Sequence, residues 1–271
     1  MCHNFSMNEV VSSIVSICLI FAGTVLGSSF VFLFKNTFSK KCETIVLGFA
    51  SGIMISAAVF GLIIPSIEET KNNSIYNSWE FVPILIGFII GCLVLFLFDK
   101  LIPHIHLNSN NEEGIKNTKI SKQTKFFLAV SMHNIPEGLA VGFAAGLALN
   151  NKTPASIMAV FTLALGIAIQ NIPEGAAVSI PYLGLGKSKQ EAFLLGSLSG
   201  VVEPIFAIVG LFISFNLSSI MPWLLCFAAG MMIYVTLEEI LPDTISGEYS
   251  HLGTWSFIIG FSIMMVLEMI L

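Results

Sequence analysis

The chain has 271 residues, 55% of them hydrophobic and only 11% charged, against about 25% charged in an average soluble domain. That leaves too little charged surface to keep the chain in water, which excludes an ordinary soluble enzyme and a disordered regulator. A net charge of −5, with twelve lysines and no arginine, excludes a nucleic-acid binder, which needs a basic stripe. The class is an all-α integral membrane protein whose partner is the lipid bilayer. Its apolar runs are of helix length, roughly 20 residues, rather than alternating over about 10 as barrel strands do.

The pattern predicts eight transmembrane helices. The first, 8–34, follows a start without Lys or Arg and exceeds a signal-peptide core of about 7–15 residues, so it reads as a retained span. The next two are 44–67 and 80–102. A polar segment, 103–122, then carries His104, His106, Glu112 and Glu113. Its His-x-His is a weak metal catch, and a solvated loop is the favoured reading. Five further spans follow at 123–149, 154–182, 190–215, 219–242 and 252–271. The remaining connections are short, which leaves one compact bundle over 1–271 and no soluble domain.

The lysines orient this arrangement. The loops after spans one, three, five and seven hold Lys35, Lys40, Lys41, Lys100, Lys116, Lys119, Lys122, Lys125, Lys187 and Lys189; the other side holds Lys71 and Lys152. By the positive-inside rule both termini lie outside and the 103–122 loop lies in the cytoplasm. The Lys- and Asn-rich, Arg-free composition points to an AT-rich prokaryotic genome and so to a cell (plasma) membrane. The five cysteines (Cys2, Cys18, Cys42, Cys92 and Cys226) have no paired spacing and read as small buried hydrophobes.

Two internal repeats set the architecture. Span four contains His133-Asn134-Ile135-Pro136-Glu137-Gly138, and span five contains Gln170-Asn171-Ile172-Pro173-Glu174-Gly175. A weaker pair joins Phe49-Ala50-Ser51-Gly52-Ile53-Met54-Ile55 of span two to Phe227-Ala228-Ala229-Gly230-Met231-Met232-Ile233 of span seven. Both pairs run in opposite directions through the membrane. One pseudo-two-fold axis in the membrane plane relates them, which gives inverted repeats arranged as three spans, a central pair and three spans. Inverted repeats with Gly- or Pro-interrupted helices are a transporter signature.

The motif carries the chemistry. His133 and Glu137 share a helix face, as do Gln170 and Glu174. Pro136 and Pro173 lack an N–H and leave the carbonyls of Met132 and Ile169 without helical partners. Asn134 and Asn171 lie about 100° round their helices and suit an adjacent second site. An ionised carboxylate at the bilayer centre costs at least about 2.5–3.5 kcal/mol. Glu137, Glu174 and Glu203 are three such groups, and no basic residue lies mid-span to pair with them. They must be protonated, solvated or neutralised by a cation. One His with several carboxylate and amide oxygens suits Zn²⁺, Fe²⁺ or Mn²⁺ better than Cu⁺; Cd²⁺ is a further candidate. Glu203, followed by Pro204 in span six, is the natural ligand from a third helix. Glu238 and Glu239, one turn before Pro242 and beside Asp243, read as an acidic mouth on the cytoplasmic side. Met54 is a candidate soft ligand on the path, with packing as the competing reading. Glu268 is expected to snorkel outward. Glu68 and Glu69 are either a cation attractor at the outer mouth or a solvated helix end.

The paired H-N-I-P-E-G and Q-N-I-P-E-G motifs resemble those of the ZIP (Zrt/Irt-like) metal-ion transporters, especially the bacterial-type GufA-like branch. The resemblance covers essentially the whole chain, including the span-six S-G-x-x-E-P. It implies transport of divalent cations, most often zinc, into the cytoplasm, with zinc as substrate and no cofactor. It implies a two-metal site between spans four, five and six. His133, Glu137, Gln170 and Glu174 match one metal position; Asn134, Asn171 and Glu203 match the other, with the glutamates shared. It also implies alternating access and a homodimer. Two departures stand out. Some relatives have Asp where Asn171 stands, and the neutral amide weakens the second metal position. Relatives often carry His-Glu where Glu238 and Glu239 stand, so the exit here is richer in oxygen. Two other readings compete. A proton or organic-solute carrier on the same fold is separated by whether the protein binds metal at all. An intramembrane metalloenzyme lacks support, because H-E-x-x-H and a second intramembrane His are absent.

Overall fold

In a computed structural model, which describes residues 7–33, 39–105, 112–114 and 122–270, eight long helices dominate the chain. They are α1 (Met7–Ser29), α2 (Lys40–Asn72), α3 (Phe81–Leu101), α4 (Lys122–Asn151), α5 (Pro154–Gly184), α6 (Lys189–Asn216), α7 (Met221–Ile240) and α8 (Ser250–Ile270). Seven of them are long and apolar enough to cross a membrane. The exception is α4, which is long enough at 30 residues but carries the polar motif. From Ala129 onward its side chains are almost all buried. The least lipid-like helix is thus shielded from lipid by the others.

Local sequence starts these helices where expected. Ser39 accepts a hydrogen bond from Cys42 N at the head of α2. Thr153 and Ser156 form a capping box before α5, with Pro154 in its first turn. Ser188 and Glu191 do the same for α6. Each box satisfies backbone donors that a helix start leaves orphaned. The 103–122 segment adds a feature that the polar composition hides: His104–Ile105 pairs antiparallel with Glu112–Glu113. His106 lies outside the described residues.

The helices pack as four tight pairs, α1 on α5, α4 on α6, α2 on α8 and α3 on α7. An inverted repeat requires this set, because exchanging α1 with α6, α2 with α7, α3 with α8 and α4 with α5 maps the pairs onto one another. The seams match residue by residue. Gly52 of α2 abuts the carbonyl of Phe257 on α8, and its counterpart Gly230 of α7 abuts the carbonyl of Phe88 on α3. Three residues on, Gly260 abuts Phe49 and Gly91 abuts Phe227. The weaker sequence repeat is therefore structural. Glycine is required at these seams because backbone meets backbone with no room for a Cβ, the packing that holds helices together where lipid supplies no hydrophobic drive.

The repeat extends to helix distortions. Both α2 and α7 widen into a π-turn, over Ala57–Ile63 and Thr236–Ile240, next to Pro65 and Pro242. A proline ring displaces the preceding turn and removes one N–H, and the helix absorbs the misfit by widening. Glu239 lies in the second of these turns. α6 is broken at Gly200–Val201, and its second half begins at Val202, which puts Glu203 in a first turn. Outside the bundle proper, Tyr76 in the α2–α3 connection is buried and donates its hydroxyl to the carbonyl of Ser219. Burial raises the Tyr76 pKa above the ordinary tyrosine value.

Gly91→Ala should lower stability by about 1–3 kcal/mol, the usual cost of overpacking, because the new methyl meets the Phe227 carbonyl. The check is thermal unfolding in detergent; an unchanged midpoint would contradict the close approach.

Candidate metal site between α4, α5 and α6

The motif glycines bring the polar helices together. Gly138 of α4 abuts the carbonyl of Glu203 on α6, and its repeat counterpart Gly175 of α5 abuts the carbonyl of Thr24 on α1. Both prolines lie inside continuous helices, Pro136 in α4 and Pro173 in α5. This packing buries His133, Asn134, Glu137, Gln170, Asn171, Glu174 and Glu203, all seven of the expected ligands.

Hydrogen bonds order the cluster. Gln170 donates Nε2 to Glu137 Oε1 at 2.5 Å, joining the two halves of the repeat. Asn171 donates Nδ2 to Glu203 Oε2 at 2.9 Å and to the carbonyl of Ile20 at 3.2 Å. Two acceptors on one atom fix which end of the amide is nitrogen. Asn134 donates Nδ2 to the carbonyl of Ser199 at 3.0 Å. Glu203 Oε1 accepts a 2.6 Å hydrogen bond from the hydroxyl of Thr24. The α6 break adds a favourable field, because a carboxylate in the first turn of a helix faces the positive end of its dipole.

What lacks a partner is as informative. Glu137 Oε2, Gln170 Oε1, Asn171 Oδ1 and Glu174 Oε2 are buried and accept no hydrogen bond. His133 Nε2 also has none; Glu239 Oε1 lies 3.5 Å away as an ion-pair neighbour. Buried acceptors are nearly always paired, and leaving one bare costs about 1–3 kcal/mol. Four bare oxygens and a ring nitrogen thus lie in one cluster without a partner. The carboxylates of Glu137, Glu174 and Glu203 also repel one another. No lysine stands between Lys125 and Lys152 or between Lys152 and Lys187, so neither motif brings its own counter-cation. Among the described residues, no three His, Cys, Asp or Glu side chains converge on one point. A metal held here would therefore need the amide oxygens of Gln170 and Asn171 as well, along with side-chain rotation.

Other expected residues separate. Glu239 is buried and reaches His133, whereas Glu238 is exposed. One of two adjacent glutamates of the π-turn thus points inward. A cavity with about 10 Å³ open to a water's centre, the room one water needs, is lined by His133, Glu239, Asp99, Tyr234 and apolar neighbours. Asp99, near the end of α3, was not distinguishable in the sequence from a solvated helix end. Met54 is fully buried in the apolar core with its sulfur 3.7 Å from the Thr236 hydroxyl, which agrees with packing. Glu268 does not snorkel outward: its Oε1 is buried and lies against Gly61 in the α2 π-turn. The π-turn of α2 leaves a side-chain-free spot there, and the carboxylate occupies it. Glu69 accepts a 3.0 Å hydrogen bond from Asn151, tying the ends of α2 and α4. The thiols of Cys18, Cys42, Cys92 and Cys226 are free.

Comparison with known proteins gives a consistent picture. A family model described as ZIP Zinc transporter matches residues 10–125 and 123–268. The chain is 30% identical to Zinc transporter ZIP11 of Xenopus tropicalis, covering 96% of this chain and 97% of that protein. It is 33% identical to Zinc transporter GufA of Myxococcus xanthus, with 92% and 95% coverage. It is 34% identical to Zinc transporter ZupT of Chlorobaculum parvum, with 90% and 91% coverage.

His133→Ala removes the one nitrogen donor of the cluster. Zinc binding to the purified protein, followed by titration calorimetry, should weaken at least about tenfold, the lower end of what even an indirect metal contact is worth. Equal affinity would remove His133 from the site.

Proposed function

Since the chain belongs to the ZIP zinc transporter family, we propose that it carries divalent metal ions across the membrane through the α4–α5–α6 cluster. It is a multi-pass membrane transporter, not an enzyme, and its substrate is a divalent metal ion, with zinc favoured by the relatives. The single observation that carries the site assignment is the set of bare buried donors on His133, Glu137, Gln170, Asn171 and Glu174. A hydrated Zn²⁺ would exchange its water for these atoms. The ion's charge offsets carboxylate repulsion, and the carboxylates replace the lost hydration. Glu203, held from α1 and α5, supplies negative charge from the third helix.

The path runs past His133 to Glu239 and the small cavity beside Asp99, which we assign to release into the cytoplasm. Ten of the twelve lysines on that side support cytoplasmic placement of the 103–122 loop, with both termini outside a plasma membrane. The whole chain forms one transport domain. The α1–α5 and α4–α6 pairs move as a unit against α2–α8 and α3–α7, which opens the site to each side in turn. Dimerisation, which the sequence resemblance implies, is part of the same reading.

Uptake of Zn²⁺, Mn²⁺ and Fe²⁺ into proteoliposomes, measured in parallel, tests this. Saturable zinc uptake lost in the His133→Ala/Glu174→Gln double variant is the expected result. No uptake of any metal by folded, inserted protein would sink the proposal. Uptake should also fall as the pH is lowered, since protons and metal compete for the same carboxylate oxygens. A rate that rises with acid would contradict it.

A further inference from the structure

Thr24 belongs to no motif and lies on α1, which contributes none of the expected metal ligands. Its hydroxyl nevertheless donates to Glu203 Oε1 across the bundle at 2.6 Å, in a buried setting. The residue is wedged on two further sides. Its backbone carbonyl packs against Gly175 of the α5 motif, and its side-chain methyl and hydroxyl pack against Gly200 at the α6 break. A Cβ at either glycine would collide with it. The inverted repeat explains the position. Gly138 abuts the Glu203 carbonyl and Gly175 abuts the Thr24 carbonyl, so Thr24 is the symmetry counterpart of Glu203. The two related residues meet across the pseudo-axis and hydrogen-bond each other.

We propose that Thr24 is a positioning residue of the transport site, whose hydroxyl fixes the Glu203 carboxylate in the orientation that serves the metal cluster. Glu203 is the only cluster carboxylate with a donor on each oxygen, Thr24 on Oε1 and Asn171 on Oε2. The two donors come from α1 and α5, so they hold the carboxylate plane rather than a single atom. Glu137 accepts from Gln170 on Oε1 and keeps a bare Oε2; Glu174 also presents a bare Oε2. Glu203 therefore acts as a fixed charge behind the bare donors, and Thr24 is half of what fixes it. The inference rests on the transport reading above.

The test is a double-variant cycle on zinc uptake in proteoliposomes. Thr24→Val keeps the side-chain shape that fills the wedge and removes only the hydroxyl. Its KM for zinc should rise roughly tenfold, the worth of a hydrogen bond to a charged group, with kcat within about twofold. Thr24→Ser restores the hydroxyl and should return KM toward wild type, which a role limited to packing would not do, since serine packs worse than valine here. Thr24→Val combined with Glu203→Ala should lose little beyond Glu203→Ala alone, because alanine leaves the Thr24 hydroxyl no carboxylate to donate to. A wild-type KM in Thr24→Val, failure of serine to rescue, or additive losses in the double variant would each overturn the assignment. Failure of the transport reading itself is distinguishable, because then wild type takes up no zinc.

Discussion

Three carboxylates are buried in one cluster between α4, α5 and α6, and the lysines of those helices stand only in the first turns of α4 and α6, far along the helix from them. Ionised groups at membrane depth are costly unless something neutralises or solvates them. The rest of the structure follows from managing that cost. Gln170, Asn171 and Thr24 each give a donor to a carboxylate, and the α6 break turns a helix dipole toward Glu203. These arrangements satisfy part of the oxygen valence and leave a defined remainder bare. That remainder is what we assign to a divalent cation.

The inverted repeat is how the chain builds such a cluster. Duplication places one polar motif on each of two adjacent helices and supplies the second half of the ligand set without new sequence. The same operation sets the packing. Glycines at equivalent positions of α2 and α7 meet backbone carbonyls of α8 and α3, and the glycines of the two motifs meet those of α6 and α1. Close approach at these points brings side chains from four helices within hydrogen-bond distance. The repeat is not exact: His133 of one motif corresponds to Gln170 of the other, and Glu203 corresponds to Thr24.

Much of this was legible in the sequence, for physical reasons. Seven of the spans follow from apolar length, whereas α4, which carries the polar motif, does not. The seven cluster residues could be named because polar groups are rare in an apolar chain, and because a repeat of five positions in six preserves their spacing. Other features were hidden. Thr24 is a common residue in an apolar helix, and its bond to Glu203 spans a sequence separation of 179 that no local pattern encodes. Glu238 and Glu239 are equivalent in composition, and only the packing of α7 decides which is buried. Glu268 read as a terminal residue reaching for water, but the side-chain-free Gly61 opposite gave it an inward place. The pairing of His104–Ile105 with Glu112–Glu113 was masked by polar composition.

The central claim is that the buried donors of α4 and α5 coordinate the transported ion directly. X-ray absorption at the zinc edge on zinc-loaded protein reads the coordination shell itself. The account predicts oxygen and nitrogen neighbours at about 2.0–2.2 Å, with a single imidazole signature that disappears in His133→Ala. A sulfur neighbour at about 2.3 Å, or a shell of water oxygens alone that His133→Ala leaves unchanged, would contradict it.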